Sequence, residues 1–210
     1  MKRAITVCAL LFTGMVAGPD AEAAITTITM DELPTQPING LTLKGATFHD
    51  TAGATFNSPN GGQQTFTQDP TILGSTTDVI TVDFAQPSPF VQFGMSLSFT
   101  GPLTPGFSVE LFDSSLVSLG ITSVNTSVLP GDVFSEGQFT HAGALVSRLV
   151  ITFPANSAVQ FGFDNLSFEA ADAVPVPTLS EWAMILMTAL LLGSGVWALR
   201  ARIEFGGRAA

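Results

Sequence analysis

Carboxylates are the side chains of this sequence with the clearest potential for chemistry. Between Ile25 and Ala173 the chain carries 13 Asp and Glu residues against two basic residues, Lys44 and Arg148, a net charge of 2 − 13 = −11. Such a surface repels phosphate groups, which excludes nucleic acid as a partner. The same charge suits a soluble extracellular domain, and it also attracts divalent cations.

Two acidic segments near the ends of this region form a candidate metal site. Asp31 and Glu32 follow a short β-rich segment at the beginning, and Asp164 lies in another at the end. If the first and last strands pair, these carboxylates come close together, and Ca²⁺ prefers such oxygen ligands. If the protein binds a metal, we expect Asp31 and Asp164 as calcium ligands, but we favour the interpretation without a cofactor that follows. In the alternative interpretation, Asp31 is a turn residue and Asp164-Asn165 is only a β-bulge.

No combination of residues typical of an active site occurs, and we expect that the protein is not an enzyme. His49 and His141 have no second histidine or cysteine at metal-binding spacing. The Gly-x-Ser-x-Gly segment of many serine hydrolases is missing. Glu110 and Asp113 would point to opposite faces of a strand, which does not fit the paired carboxylates of a glycosidase.

Alternation of apolar and polar residues predicts that strands position these groups. The period of two is clearest at residues 91–99, and it recurs in four segments beginning at Ile80, Phe107, Leu149 and Val159. Shorter candidate strands cover residues 25–30, 41–48, 63–67 and 116–121. About nine or ten short strands, separated by turns rich in Gly, Pro and Asn, favour an all-β fold. For residues 24–173 we predict an antiparallel two-sheet sandwich of the jelly-roll kind.

The spacing of the apolar residues shifts once, at Asp164-Asn165. Phe161 and Phe163 occupy odd positions, whereas Leu166 and Phe168 occupy even ones. A strand that keeps all four side chains in the core needs a bulge between the two pairs. Asp and Asn tolerate such a kink because their side chains bond to nearby backbone groups. We therefore predict a β-bulge at this point.

The first 23 residues predict a secretory signal peptide. A charged start, Lys2-Arg3, precedes an apolar segment at residues 4–18, and Ala21-Glu22-Ala23 matches the Ala-x-Ala cleavage pattern. We expect export by the Sec machinery and cleavage by signal peptidase after Ala23, with the bond after Ala24 as the second choice. Cys8, the single cysteine, is removed with the signal, so the mature protein has no disulfide.

The last part of the chain, residues 174–210, predicts a membrane-associated signal. Residues 183–199 are 17 uncharged, mostly apolar residues. As a transmembrane helix they would rise about 26 Å, near the roughly 30 Å of a bilayer core. Arg200 and Arg202 follow as a basic stop within the tail 200–210, and the positive-inside rule places the C-terminus in the cytoplasm. A plain single-span anchor is the alternative interpretation.

The polar motif before this segment resembles the IPTL-CTERM sorting signal, a relative of PEP-CTERM in bacterial surface proteins. Its residues are Val176, Pro177, Thr178, Leu179, Ser180, Glu181 and Trp182, with Val176 where the family has Ile. The resemblance implies recognition by an exosortase-type membrane enzyme and cleavage near the motif. It also implies transfer to the cell surface or the extracellular matrix.

Two functions for the central domain are consistent with these observations. We expect a non-catalytic domain displayed at the bacterial surface for structural contacts. The alternative is a carbohydrate-binding or calcium-dependent adhesion module that contacts exopolysaccharide. Sugar-binding sandwiches stack sugar rings on exposed aromatic side chains. Residues 24–173 contain no Tyr or Trp, so Phe56 and Phe66 are the remaining candidate contacts.

Overall fold

The computed structural model of the protein describes residues 24–59, 64–154, 158–169 and 183–194. The chain divides into two units, Met1–Ala171 and Asp172–Ala210. The predicted signal peptide, the sorting-motif residues 176–182 and the basic stop at Arg200 and Arg202 lie outside the described residues.

The described residues of the first unit form 11 β-strands and no helix. In chain order these are β1 (Ile25–Ile28), β2 (Gln36–Pro37), β3 (Leu41–Leu43), β4 (Ala46–His49), β5 (Thr55–Ser58), β6 (Thr71–Ser75), β7 (Val79–Leu97), β8 (Leu103–Phe112), β9 (Ser118–Val128), β10 (Ser135–Thr152) and β11 (Gln160–Glu169). The predicted all-β fold class is therefore confirmed for this part of the chain.

Hydrogen bonds join these strands into one open antiparallel sheet. The main order is β2-β5-β6-β11-β7-β10-β8-β9, while β1 pairs with β11 and the β3–β4 hairpin pairs with β7. The long strands β7 and β10 pair along most of their length. Strand pairing alone does not divide this sheet into two, so the sandwich stays a prediction.

Aromatic side chains form the centre of the hydrophobic core. The ring centroid of Phe93 on β7 lies 4.8 Å from that of Phe163 on β11 and 5.2 Å from that of Phe139 on β10. Phe48 on β4 also contacts Phe163, at 6.3 Å, although β4 and β11 are not neighbours in the sheet. All four rings are buried, as the alternating pattern predicts for the strands carrying Phe93 and Phe163.

One long strand, β7, replaces two of the short strands expected from the sequence. Residues 80–84 and 91–99 were predicted as separate strands, but β7 runs through both segments, past Pro87 and Pro89. Successive pairs with β10 use Phe90, Ser88 and Asp83 of β7, with a register shift at each step. Pro89 and Pro87 lie at these two shifts, where the ladder is irregular. Proline is tolerated in a strand at such places because its missing N–H is not needed there.

Two of the shorter predicted strands also differ from the structure. Residues 41–48 form the β3–β4 hairpin, with Lys44 and Gly45 at positive φ in the turn. Residues 64–67, part of the strand predicted at 63–67, form an irregular loop instead, so that prediction is wrong. The N–H groups of this loop bond to a carboxylate rather than to a neighbouring strand.

The described residues of the second unit, 183–194, form an α-helix. The Thr188 hydroxyl donates a hydrogen bond to the carbonyl of Met184, 2.8 Å away. The last five residues of the predicted span 183–199 lie outside the described residues. No helix within the described ranges is long and apolar enough to cross a membrane.

Candidate functional site

The first and last strands pair, and this pairing brings the acidic segments together. β1 runs antiparallel to β11 with Ile28 opposite Leu166. The chain therefore leaves β1 in the direction of Asp164, which precedes Leu166 on β11. The negative charges of both Glu32 and Asp31 act on Asp164. We call Asp31, Glu32 and Asp164 the acidic cluster.

Asp164 is the buried member of the acidic cluster, with 1% of its surface exposed. Its Oδ2 accepts hydrogen bonds from the N–H of Gln68 at 2.8 Å and from the side-chain amide of Asn165 at 3.0 Å. Its Oδ1 is buried without a hydrogen-bond partner. Burial, together with the charges of Glu32 and Asp31, raises the pKa of Asp164 to about 7.

Glu32 is held in place by Lys44 and by the backbone. Its Oε1 accepts hydrogen bonds from Lys44 Nζ at 2.7 Å and from the N–H of Thr29 at 3.0 Å. Burial alone would raise the pKa of Glu32, but these hydrogen bonds outweigh it, so the pKa lies below its usual value. The second oxygen, Oε2, is buried without a hydrogen-bond partner. One carboxylate oxygen of Glu32 thus accepts hydrogen bonds, and the other accepts none.

Asp31 is exposed, and its Oδ1 accepts a hydrogen bond from the Thr29 hydroxyl at 2.6 Å. This local contact is the one that the turn interpretation predicts. Among the residues that the structure describes, no three His, Cys, Asp or Glu side chains are grouped so that they could hold a metal ion. The calcium site at Asp31 and Asp164 therefore stays a prediction.

The β-bulge expected at Asp164-Asn165 is present. The register between β11 and β7 shifts between Asp164 and Ser167, and Asn165 has a φ of 55°. Phe163 and Leu166, on either side of the bulge, are both fully buried. The bulge thus keeps the apolar side chains in the core and places Asp164 on the opposite face.

A loop of residues 64–68 covers Asp164 and connects it with a second buried carboxylate, Glu136 on β10. Glu136 is 4% exposed and accepts backbone N–H bonds from Thr65 at 2.9 Å, from Phe66, and from Thr67 at 2.7 Å. The loop then continues to Gln68, which donates to Asp164. One loop is therefore fixed by two carboxylates on two different strands.

This loop lies directly on the sheet because β7 has a glycine beneath it. A Cβ at Gly94 would overlap the carbonyl oxygen of Phe66. The same carbonyl accepts a hydrogen bond from the Asn165 side chain at 3.0 Å. Sequence reasoning missed Glu136 and Gly94, since about 70 residues separate Glu136 from the loop and no local pattern links them.

Aromatic side chains do not provide a sugar-stacking platform in the described part of the chain. Phe56 is fully buried, so the expectation that it contacts a sugar is wrong. Phe66 is half-buried, and the exposed large hydrophobic residues of the described ranges include no Phe. The predicted strands do not include β5, and this strand turns the Phe56 side chain into the core.

The two basic residues of the domain are both paired with carboxylates. Lys44 bonds to Glu32, as described above, and Arg148 binds Asp83 through two hydrogen bonds of 2.6 and 3.0 Å. His49 Nε2 also lies 3.5 Å from Asp83, so His49 is not as isolated as the sequence indicates. Asp83 on β7 thus contacts His49 on β4 and Arg148 on β10.

Comparison with known families identifies the tail. The IPTL-CTERM motif matches residues 174–202. The matched range contains the predicted motif residues 176–182 together with Arg200 and Arg202. The chain therefore carries an IPTL-CTERM sorting motif, as its resemblance indicated, and this motif is typical of an exported surface protein. No curated protein is significantly similar to the chain.

Several solved structures are similar to the chain at low identity. A variant of a family 29 carbohydrate-binding module shares 10% identity with a TM-score of 0.41, over 73% of this chain and 99% of that one. A family 22 xylan-binding domain from Paenibacillus barcinonensis shares 14% at a TM-score of 0.36, over 71% and 97%. The family 22 and catalytic modules of a Clostridium thermocellum xylanase share 16% at 0.37, over 65% and 29%. At these TM-scores the similarity carries no argument about function.

Proposed function

We propose that the protein is exported and sorted through its C-terminal signal to the bacterial cell surface or extracellular matrix, where it displays its β-stranded domain. The IPTL-CTERM match at residues 174–202 carries this proposal. In the chain, the match begins shortly after β11 ends at Glu169. The order of the segments, an export signal, a folded domain and a sorting signal, is the order that sorting requires.

Each part of the tail has a role in this proposal. The apolar segment 183–199 holds the exported chain at the membrane, and Arg200 and Arg202 keep the end of the chain in the cytoplasm. An exosortase-type enzyme then recognises residues 176–182 and cleaves nearby. Cleavage separates the domain from the apolar segment and transfers it to the surface or the matrix.

The displayed domain is a non-catalytic β-sandwich in this proposal. The contact between Phe48 and Phe163, on strands that do not pair, supports a sheet folded over a core into two layers. The buried carboxylates support a structural role, because Glu136 accepts hydrogen bonds from three backbone N–H groups and loop 64–68 covers Asp164. The domain then functions by display and by contacts with its surroundings.

Variants of the motif test the sorting proposal. The double variant Pro177→Ala with Thr178→Ala is expected to accumulate in the membrane fraction of a host that has its own sorting enzyme. Ala173→Ser, just before the matched range 174–202, is the matched control and should be sorted like the wild type. Surface labelling and immunoblotting of each fraction give the readout. Equal sorting of all three proteins would contradict the proposal.

A calcium-dependent or carbohydrate-binding adhesion module is the second candidate function. One observation favours the calcium part, namely the two buried carboxylate oxygens without partners in the acidic cluster. Retention on exopolysaccharide, measured with Ca²⁺ and with a chelator, tests this candidate. Saturable retention that needs Ca²⁺ would support adhesion, whereas failure to bind any member of a broad glycan panel would contradict it.

A further inference from the structure

Two carboxylate oxygens from opposite ends of the domain are buried without partners, in segments that strand pairing brings together. They are Oδ1 of Asp164 on β11 and Oε2 of Glu32 in the segment after β1. The pairing of β1 with β11 brings these segments together, and Asp164 experiences the charge of Glu32. A buried carboxylate oxygen without a hydrogen bond is unfavourable, and two neighbouring ones repel each other as well.

No basic side chain of the described domain compensates Asp164. Lys44 donates to Glu32 Oε1 and to the carbonyl of Thr27, at 2.7 and 2.8 Å. Arg148 binds Asp83. The hydrogen bonds from Gln68 and Asn165 reach only the other oxygen of Asp164. Neither of the two unpartnered oxygens therefore receives a hydrogen bond from a basic side chain.

We propose that Glu32 Oε2 and Asp164 Oδ1 bind one divalent cation, with Ca²⁺ as the best fit. Ca²⁺ accepts six to eight oxygen ligands in irregular arrangements, including carboxylates, carbonyl oxygens and water. No third acidic side chain of the described residues is grouped with this pair, so neutral oxygens complete the ligand set. Mg²⁺ fits less well because it demands an octahedral set of ligands.

This site differs from the one that the sequence alone predicts. Glu32 takes the place of Asp31, because Asp31 is exposed and bonded to the Thr29 hydroxyl. Asp31 adds negative charge near the cation without binding it. The bound ion links the segment after β1 to β11 and so closes the two ends of the β-stranded domain on each other.

A cation that binds only the folded domain raises its unfolding temperature. The full-length protein, in detergent and first treated with a chelator, is unfolded thermally with CaCl₂, with MgCl₂ and without metal. We expect a saturable rise of roughly 5–10 °C when Ca²⁺ is about a hundred times above its Kd, and a smaller rise with Mg²⁺. The absence of any Ca²⁺-dependent rise in the wild type would overturn the proposal.

Three variants assign the effect to the site. Asp164→Asn keeps the shape of the side chain and the bond from Gln68, and it should abolish the Ca²⁺ effect, as should Glu32→Gln. Asp132→Asn changes a half-buried loop carboxylate away from the proposed site and is the matched control, which should respond like the wild type. A rise that persists in Asp164→Asn and Glu32→Gln would show that Ca²⁺ binds elsewhere and would overturn the assignment.

Removal of the neighbouring positive charge gives an independent test. Lys44→Gln takes away the ammonium group bonded to Glu32 Oε1. If Glu32 and Asp164 bind the cation, this variant should bind Ca²⁺ more tightly, several-fold by calorimetry, although it is less stable without metal. Unchanged or weaker binding would contradict the site. These measurements do not depend on sorting, so either proposal can fail without the other.

Discussion

Glu136 provides the most direct test of how the loop over the acidic cluster is held. Its carboxylate accepts the N–H groups of Thr65, Phe66 and Thr67 in a buried position. In Glu136→Gln, one oxygen can still accept from Phe66 and Thr67, but an NH₂ group replaces the oxygen that faces the N–H of Thr65. The variant therefore sets a donor against a donor and removes the charge that strengthens the other two bonds.

The cost of this change follows from the bonds that are lost. A hydrogen bond to a charged group contributes about 1.5–3 kcal/mol, and a buried N–H without a partner costs about 1–3 kcal/mol. We expect Glu136→Gln to lower the free energy of unfolding by about 2–4 kcal/mol. In a domain of this size, that corresponds to a fall in unfolding temperature of roughly 4–16 °C. Glu136→Ala leaves all three N–H groups without this acceptor and should cost more.

Urea unfolding followed by far-ultraviolet circular dichroism measures this free energy, because the strands between residues 24 and 169 contain no Tyr or Trp for fluorescence. Glu110→Gln is the matched control, since Glu110 is half-exposed on β8 and accepts only the Ser118 hydroxyl in the described contacts. The control should change stability by about 0.5 kcal/mol or less. Hydrogen exchange at residues 65–67 should accelerate in Glu136→Gln. A Glu136→Gln protein as stable as the control, with unchanged exchange in this loop, would refute the reasoning.

Three further predictions concern the same sheet and the tail. Gly94→Ala should lower the unfolding free energy by about 3 kcal/mol or more, since the new Cβ would overlap the Phe66 carbonyl and the loop would have to move; wild-type stability by urea titration would contradict this close contact. In the presence of a chelator, the stability should fall as the pH rises from about 4 to about 7, because the folded state keeps a proton on Asp164 that the unfolded state has already lost. This slope should be absent in Asp164→Asn, and an identical pH profile in both proteins would contradict the buried, proton-holding carboxyl. Finally, Arg200→Glu with Arg202→Glu should reduce correct insertion of the tail, seen as protease accessibility of a C-terminal tag from outside; an unchanged topology would argue against the basic stop.

Periodic patterns predicted the core of this protein well. The alternation around Phe93 and Phe163 correctly gave the buried face of β7 and β11. The change of phase at Asp164-Asn165 correctly gave the bulge, because only an extra residue can keep Leu166 in the core. Both predictions succeed for one reason, since the side chains of a strand must alternate between two faces.

Features that depend on distant contacts could not be predicted from local pattern. Residues 80–84 and 91–99 are predicted as separate strands, yet β7 continues through both, with an irregular ladder to β10 between them. Residues 64–67 fall in a candidate strand, but the N–H groups of residues 65–67 bond to Glu136, about 70 residues away. The candidate site also depends on residues that are distant in the sequence. Sequence pattern indicated Asp31 and Asp164, whereas only the structure reveals that Glu32, whose charge acts on Asp164, has the buried oxygen without a partner.

The central claim, export and sorting through the tail, is tested most directly by the intact mass of the mature protein. The protein is expressed in a host with its own sorting enzyme, and the surface, medium and membrane fractions are analysed by mass spectrometry. We predict a species that begins near Ala24, ends near Thr178 and lies outside the membrane fraction. A membrane-bound species that retains residues 200–210 would show that the tail is a plain anchor and would contradict the account.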